Sequence, residues 1–72
     1  MKKTYKLVNL DCANCAAKME AAIRKISGVQ GASVNFMAQK LTLEADEAQL
    51  DRALSEAKAI IAKIEPGCQI AP

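Results

Sequence analysis

The sequence predicts an α+β domain in which a four-stranded antiparallel sheet carries two helices on one face. Three observations predict it. Four short stretches carry β-favouring or alternating residues, two longer ones place apolar residues three and four apart, and they follow one another as β-α-β-β-α-β. The chain has 72 residues with no linker or low-complexity run, so one domain, residues 1–72, accounts for all of it.

The first strand is Thr4-Tyr5-Lys6-Leu7-Val8, with Tyr5 and Leu7 on its inner face. Asn9 to Ala13 breaks the alternation and reads as a loop. A helix begins near Asn14, which suits a capping position, and its apolar stripe is Ala16, Met19, Ile23 and Ile26. Ser27-Gly28 closes that helix, with Gly28 suited to a left-handed backbone. Ala32 to Phe36 and Lys40 to Glu44 alternate again, and Met37-Ala38-Gln39 is short enough to join them as a hairpin. The second helix runs from about Glu47 to Ile64, with Asp46 to cap it and the stripe Leu50, Leu54, Ala57, Ile61 and Ile64. Pro66-Gly67 ends it, and Cys68-Gln69-Ile70 forms a short last strand.

Two β-α-β halves joined by a hairpin give the ferredoxin-like arrangement, strand order 4-1-3-2. If each element reverses the chain, the first strand ends at the edge where the last begins. The loop holding Cys12 and the turn holding Cys68 then meet, although they are far apart in sequence.

Composition excludes several functions. Ten basic against eight acidic residues is too even for a duplex-DNA binder, and one Tyr, one Phe and no Trp supply no stacking platform for single strands. No apolar run approaches the roughly 18 residues of a membrane span. No export signal is visible at the N-terminus, so a cytoplasmic location is expected. There is no histidine, which removes the commonest general base and every His-containing zinc site. No catalytic constellation is expected.

The cysteines are the informative residues. Three of them, Cys12, Cys15 and Cys68, do not make a disulfide scaffold, and without an export signal a C-x-x-C pair points to metal or redox chemistry. Cys12 sits in the loop and Cys15 in the first helical turn, so a two-residue separation lets both sulfurs face one point. The helix start adds unpaired N–H groups and the positive end of the macrodipole, which favour thiolate over thiol. Two thiolates alone suit linear Cu(I). Asp11 beside them is a poor donor for Cu(I) and a good third donor for Zn(II). A third thiolate from Cys68 would suit Cd(II) or Pb(II). The expected order is Zn(II) or Cd(II), then Pb(II), then Cu(I). Met19 is expected in the core, and Met37 at the hairpin takes no part in metal binding. An iron–sulfur cluster needs more cysteines than the chain has.

The stretches Asp11-Cys12-Ala13-Asn14-Cys15-Ala16-Ala17-Lys18, Ile26-Ser27-Gly28-Val29 and Val34-Asn35-Phe36, and the spacing between them, resemble the heavy-metal-associated domain family. The resemblance covers essentially the whole chain. It implies that Cys12 and Cys15 are the metal-binding pair. Asp directly before the first Cys is similar to the zinc/cadmium/lead-exporting branch of P-type ATPases, where copper domains usually have Thr or Ser. Asn9-Leu10 stands where many members have Gly-Met, so Leu10 is expected to pack inward under the loop. Cys68 falls near a position that is often Tyr, Phe or Lys in copper proteins.

The expected function is thus binding of a soft divalent ion by a regulatory or delivery domain of an exporting ATPase, handing metal to soluble or transmembrane domains of the transporter. The metal-binding residues are Cys12, Cys15, Asp11 and Cys68. The chain is expected to be a monomer, with a metal-bridged dimer as the alternative, and to bind no nucleic acid and insert in no membrane. The alternative functions are a free-standing metallochaperone, copper included, and a thiol–disulfide oxidoreductase. Thioredoxin-type motifs usually carry Trp before the pair and Gly-Pro within it, and this chain has neither.

Overall fold

Alternation along the strands decides which side of the sheet is covered. The computed structural model describes residues 1–71. Its elements are β1 (Lys2–Val8), α1 (Ala13–Arg24), β2 (Val29–Asn35), β3 (Lys40–Ala45), α2 (Glu47–Ile64) and β4 (Gln69–Ile70). The sheet order is β2-β3-β1-β4 with every neighbouring pair antiparallel, which is the expected ferredoxin-like topology. Leu7, Ala32, Leu41, Leu43 and Ala45 are buried on the inner face, under Ala16, Met19 and Ile23 of α1 and Leu50, Ala53, Ala57 and Ile61 of α2. Lys2, Thr4 and Lys6 alternate with them and stay exposed.

Several boundaries differ from expectation. α1 stops at Arg24, so Ile26 lies in the following turn, yet it remains buried. Bonds from Lys25 N–H to Ala22 C=O and from Ile26 N–H to Ile23 C=O, both 3.1 Å, tighten that end. Gly28 then takes φ +90°, as its position suggested. β2 starts three residues before Ala32, because the register shift between Val29 and Gly31 hides its alternation. Phe36 falls in the hairpin rather than the strand, and Cys68 precedes β4 instead of opening it. On α2, Ala53 is buried although it lay outside the expected stripe, while Leu54 and Ile64 within that stripe are half-buried, as is Tyr5 on β1.

The edge strand β2 is occupied by side chains of α1. Glu20 Oε1 accepts from Val34 N–H at 2.8 Å and Arg24 Nε donates to Ala32 C=O at 2.9 Å. Both groups are thereby denied to a foreign strand.

The register places the loops. Lys6 opposes Lys40 and Val8 opposes Gln69, so the β1–α1 loop, the β2–β3 hairpin and the α2–β4 turn gather at one end of the domain. No helix among the described residues is long and apolar enough to cross a membrane.

Candidate metal centre

The β1–α1 loop begins with Asn9 at φ +63°, a left-handed turn that Asn tolerates better than most residues. Leu10 follows and is buried under the loop, 2% exposed, as expected of it. Asp11 is exposed. Cys12 is the N-cap of α1, in extended conformation, and its Sγ accepts the N–H of Cys15 at 3.1 Å. This corrects the capping role expected of Asn14, which sits within the first turn. The chain is already committed to the helix there, since Ala16 N–H donates to Cys12 C=O at 3.0 Å. Sulfur thus stands where an oxygen usually caps a helix.

That bond separates the two thiols chemically. Hydrogen bonding to Cys15, by its side chain and its N–H, pulls the Cys12 thiol below its ordinary value. Cys15 is pushed up to about 11, first by its bond to Cys12, then by burial and by the negative charges of Cys12 and Glu65, against the pull of Lys18. One proton leaves the pair readily and the other is held.

Cys68 is brought to the same end of the domain, as the topology implied, but it is 2% exposed and packed in the core cluster. Burial raises its pKa first, with Glu65 and Asp11 adding to the effect. Its N–H donates to Glu65 C=O at 2.9 Å across the turn that contains Pro66-Gly67.

The sequence reading missed Glu65. It is the C-cap of α2, and its Oε2 accepts the N–H of Asp11 at 3.1 Å. Its Oε1 is buried and has no partner. The charge of Glu65 is felt at Cys12, Cys15 and Cys68, whereas that of Asp11 registers only at Cys68. A carboxylate at the C-terminal end of a helix opposes the macrodipole, and that was the available signal.

The donor set is right for a soft or borderline cation: thiols at a helix start with two carboxylates nearby. The convergence is incomplete. Among the described residues no three Cys, Asp or Glu side chains already stand close enough to hold an ion. Cys12 and Cys15 are joined by a hydrogen bond, with no third such donor beside them among the described residues.

Comparison with known proteins decides the family. Residues 4–68 match the heavy-metal-associated domain. The chain belongs to that family. A cadmium, zinc and cobalt-transporting ATPase of Bacillus subtilis (strain 168) is 36% identical over 66 residues, 92% of this chain but 9% of that protein. A zinc/cadmium/lead-transporting P-type ATPase of Escherichia coli (strain K12) is 40% identical over 57 residues, 75% of this chain and 8% of the relative. This heavy-metal-associated domain therefore spans under a tenth of the curated relatives it matches. Among solved structures, the N-terminal domain of ZntA in the Zn(II)-form superposes with a TM-score of 0.72 at 28% identity, covering 97% of this chain and 88% of that one. The CopZ metallochaperone superposes with a TM-score of 0.75 at 22% identity, covering 99% and 100%, which shows the shared fold. A heavy-metal-associated domain is a metal-binding module, and this one is related to domains of metal-transporting ATPases and shares its fold with a metallochaperone.

Proposed function

We propose that this domain takes up Zn(II) or Cd(II), with Pb(II) next and Cu(I) last, on Cys12 and Cys15, and passes the ion on as a regulatory or delivery domain of an exporting ATPase. The observation that carries the choice of a divalent ion is the pairing of a thiol-capped helix with the bare Oε1 of Glu65. Two thiolates and one carboxylate around a divalent ion leave a net charge of −1. Around Cu(I) they leave −2, with more self-repulsion, and the carboxylate is a poor donor to that ion. The names of the ATPase relatives, cadmium and zinc transporters, support the same reading.

Asp11 and Glu65 are rivals for the third position. Asp11 is exposed and adjacent in sequence; Glu65 has an oxygen with no other partner. Cys68 is a reserve donor for thiophilic Cd(II) or Pb(II), released only if the turn after α2 opens.

Transfer proceeds by ligand exchange. A partner's thiolate or carboxylate attacks the bound ion, and each new bond forms before an old one breaks, so no free ion is released. A closed four-ligand site would hold its metal too firmly for this.

An anaerobic competition titration of Zn(II), Cd(II), Pb(II) and Cu(I) tests the reading. Asp11→Ala and Glu65→Gln are each expected to weaken Zn(II) more than Cu(I), the larger loss marking the carboxylate that binds. Equal losses for both ions in both variants would remove the basis for the metal assignment.

A further inference from the structure

The β2–β3 hairpin grips the metal loop through one side chain. Gln39 Oε1 accepts the N–H of Leu10 at 3.1 Å, and Gln39 Nε2 donates to the C=O of Leu10 at 2.7 Å. The same Nε2 also donates to Phe36 C=O at 2.8 Å, and the backbone C=O of Gln39 accepts from Leu7 N–H at 2.8 Å. The side-chain amide thus pairs with both polar groups of Leu10, as a neighbouring strand would. No ladder partner is available there, because the pairing of β1 with β3 stops at Lys6 and its pairing with β4 stops at Val8.

Gln39 holds this position against local preference. Its φ is +56°, a backbone that favours Gly or Asn over longer residues. A residue that breaks a local rule is retained where something else compensates, and here three side-chain hydrogen bonds do so. The side chain is only half-buried, so packing alone does not account for it.

The two ties on the loop differ in kind. Gln39 fixes Leu10 with both ends of its amide engaged. Glu65 fixes Asp11 with one oxygen and leaves the other without a partner. One tie engages both ends of its side chain, and the other leaves an oxygen without a partner.

We propose that Gln39 is the positioning residue of the metal loop: it locks Leu10, two residues before Cys12, so that the thiols are presented in one arrangement before an ion arrives. The inference rests on the metal-binding reading above. Outer partners that orient a metal's ligands typically contribute about tenfold or more to affinity, and an anchor of this kind acts in the same way.

The variants are Gln39→Gly, which removes the amide while easing the left-handed backbone, and Gln39→Glu, which keeps the acceptor for Leu10 N–H and loses the donors. Two readouts separate the claims. In the metal-free protein, the Leu10 amide is expected to exchange with solvent roughly tenfold faster in Gln39→Gly, and by an intermediate factor in Gln39→Glu. With Cd(II) as probe, Gln39→Gly is expected to raise the dissociation constant about tenfold while stoichiometry and cadmium–thiolate absorption stay unchanged. If Gln39→Gly fails to fold, Gln39→Glu carries both measurements. Unchanged Leu10 exchange, or unchanged Cd(II) affinity in a folded variant with faster exchange, would overturn the proposal. If the native protein binds no Cd(II), the metal-binding reading fails by itself, and the exchange measurement still judges the anchor.

Discussion

The two helix starts of this domain are built on opposite plans. α2 begins with Asp46 and Glu47, acids placed where the macrodipole is positive. α1 has no acid in its first turn and is capped by the sulfur of Cys12. The sites lie at opposite ends of the sheet, since Glu44 pairs with Lys2 at the start of β1 while Cys12 follows its end. Asp46 does not close its helix with its side chain; its Oδ1 accepts instead from Gln30 Nε2 at 3.3 Å. One helix start is neutralised by fixed negative charge. The other keeps its N–H groups and its field for a thiolate, the form in which a sulfur binds metal.

The largest test of that contrast is to exchange sulfur for oxygen. Cys12→Ser keeps an acceptor at the cap, so the fold is expected to be as stable or up to about 1 kcal/mol more stable. High-affinity Zn(II) and Cd(II) binding is expected to vanish, as it is in Cys15→Ser. Urea unfolding and metal titration on the same samples check both halves. Asp46→Ala at the other helix start has no capping bond to lose, and about 0.5 kcal/mol or less is expected by the same unfolding measurement.

An intermediate effect is expected at Cys68, which belongs to the metal end but is buried like a core residue. Cys68→Ser puts a hydroxyl in the core cluster, with an expected loss of about 1–3 kcal/mol in stability. Its effect on Cd(II) binding is expected to exceed that on Zn(II). Unaltered cadmium absorption in the folded variant would leave Cys68 as packing alone.

A smaller test is acid–base. Ultraviolet thiolate absorption of the metal-free protein is expected to rise in separate steps. Cys12 ionises first, below its ordinary value, and Cys15 follows at about 11. Protons and metal compete for the same sulfurs, so affinity falls as pH falls through the Cys12 step. A single step at the ordinary thiol value would show that hydrogen bonding to the Cys15 side chain and N–H does not favour the Cys12 thiolate.

Periodicity made the fold legible. Stripes at helical spacing identified both helices, and Gly28 and Pro66 marked the turns after them, Gly28 by its left-handed backbone and Pro66 because it cannot continue a helix. The early start of β2 was not legible, since a register shift between Val29 and Gly31 breaks its alternation. At the site, Cys12 and Cys15 stand out by spacing alone. Glu65 and Gln39 do not, because each reaches the loop from a distant part of the chain, and only the closed topology shows where their side chains arrive. Asn14 was the natural cap by residue type, but a thiol that accepts a hydrogen bond displaced it.

The most direct test is an anaerobic Cd(II) titration of the reduced protein, followed by thiolate-to-cadmium absorption, in the native chain and in Cys12→Ser and Cys15→Ser. The account predicts one ion per chain in the native protein and loss of the tight site in either variant. Native absorption retained in both variants, or none in the native protein at excess Cd(II), would contradict it.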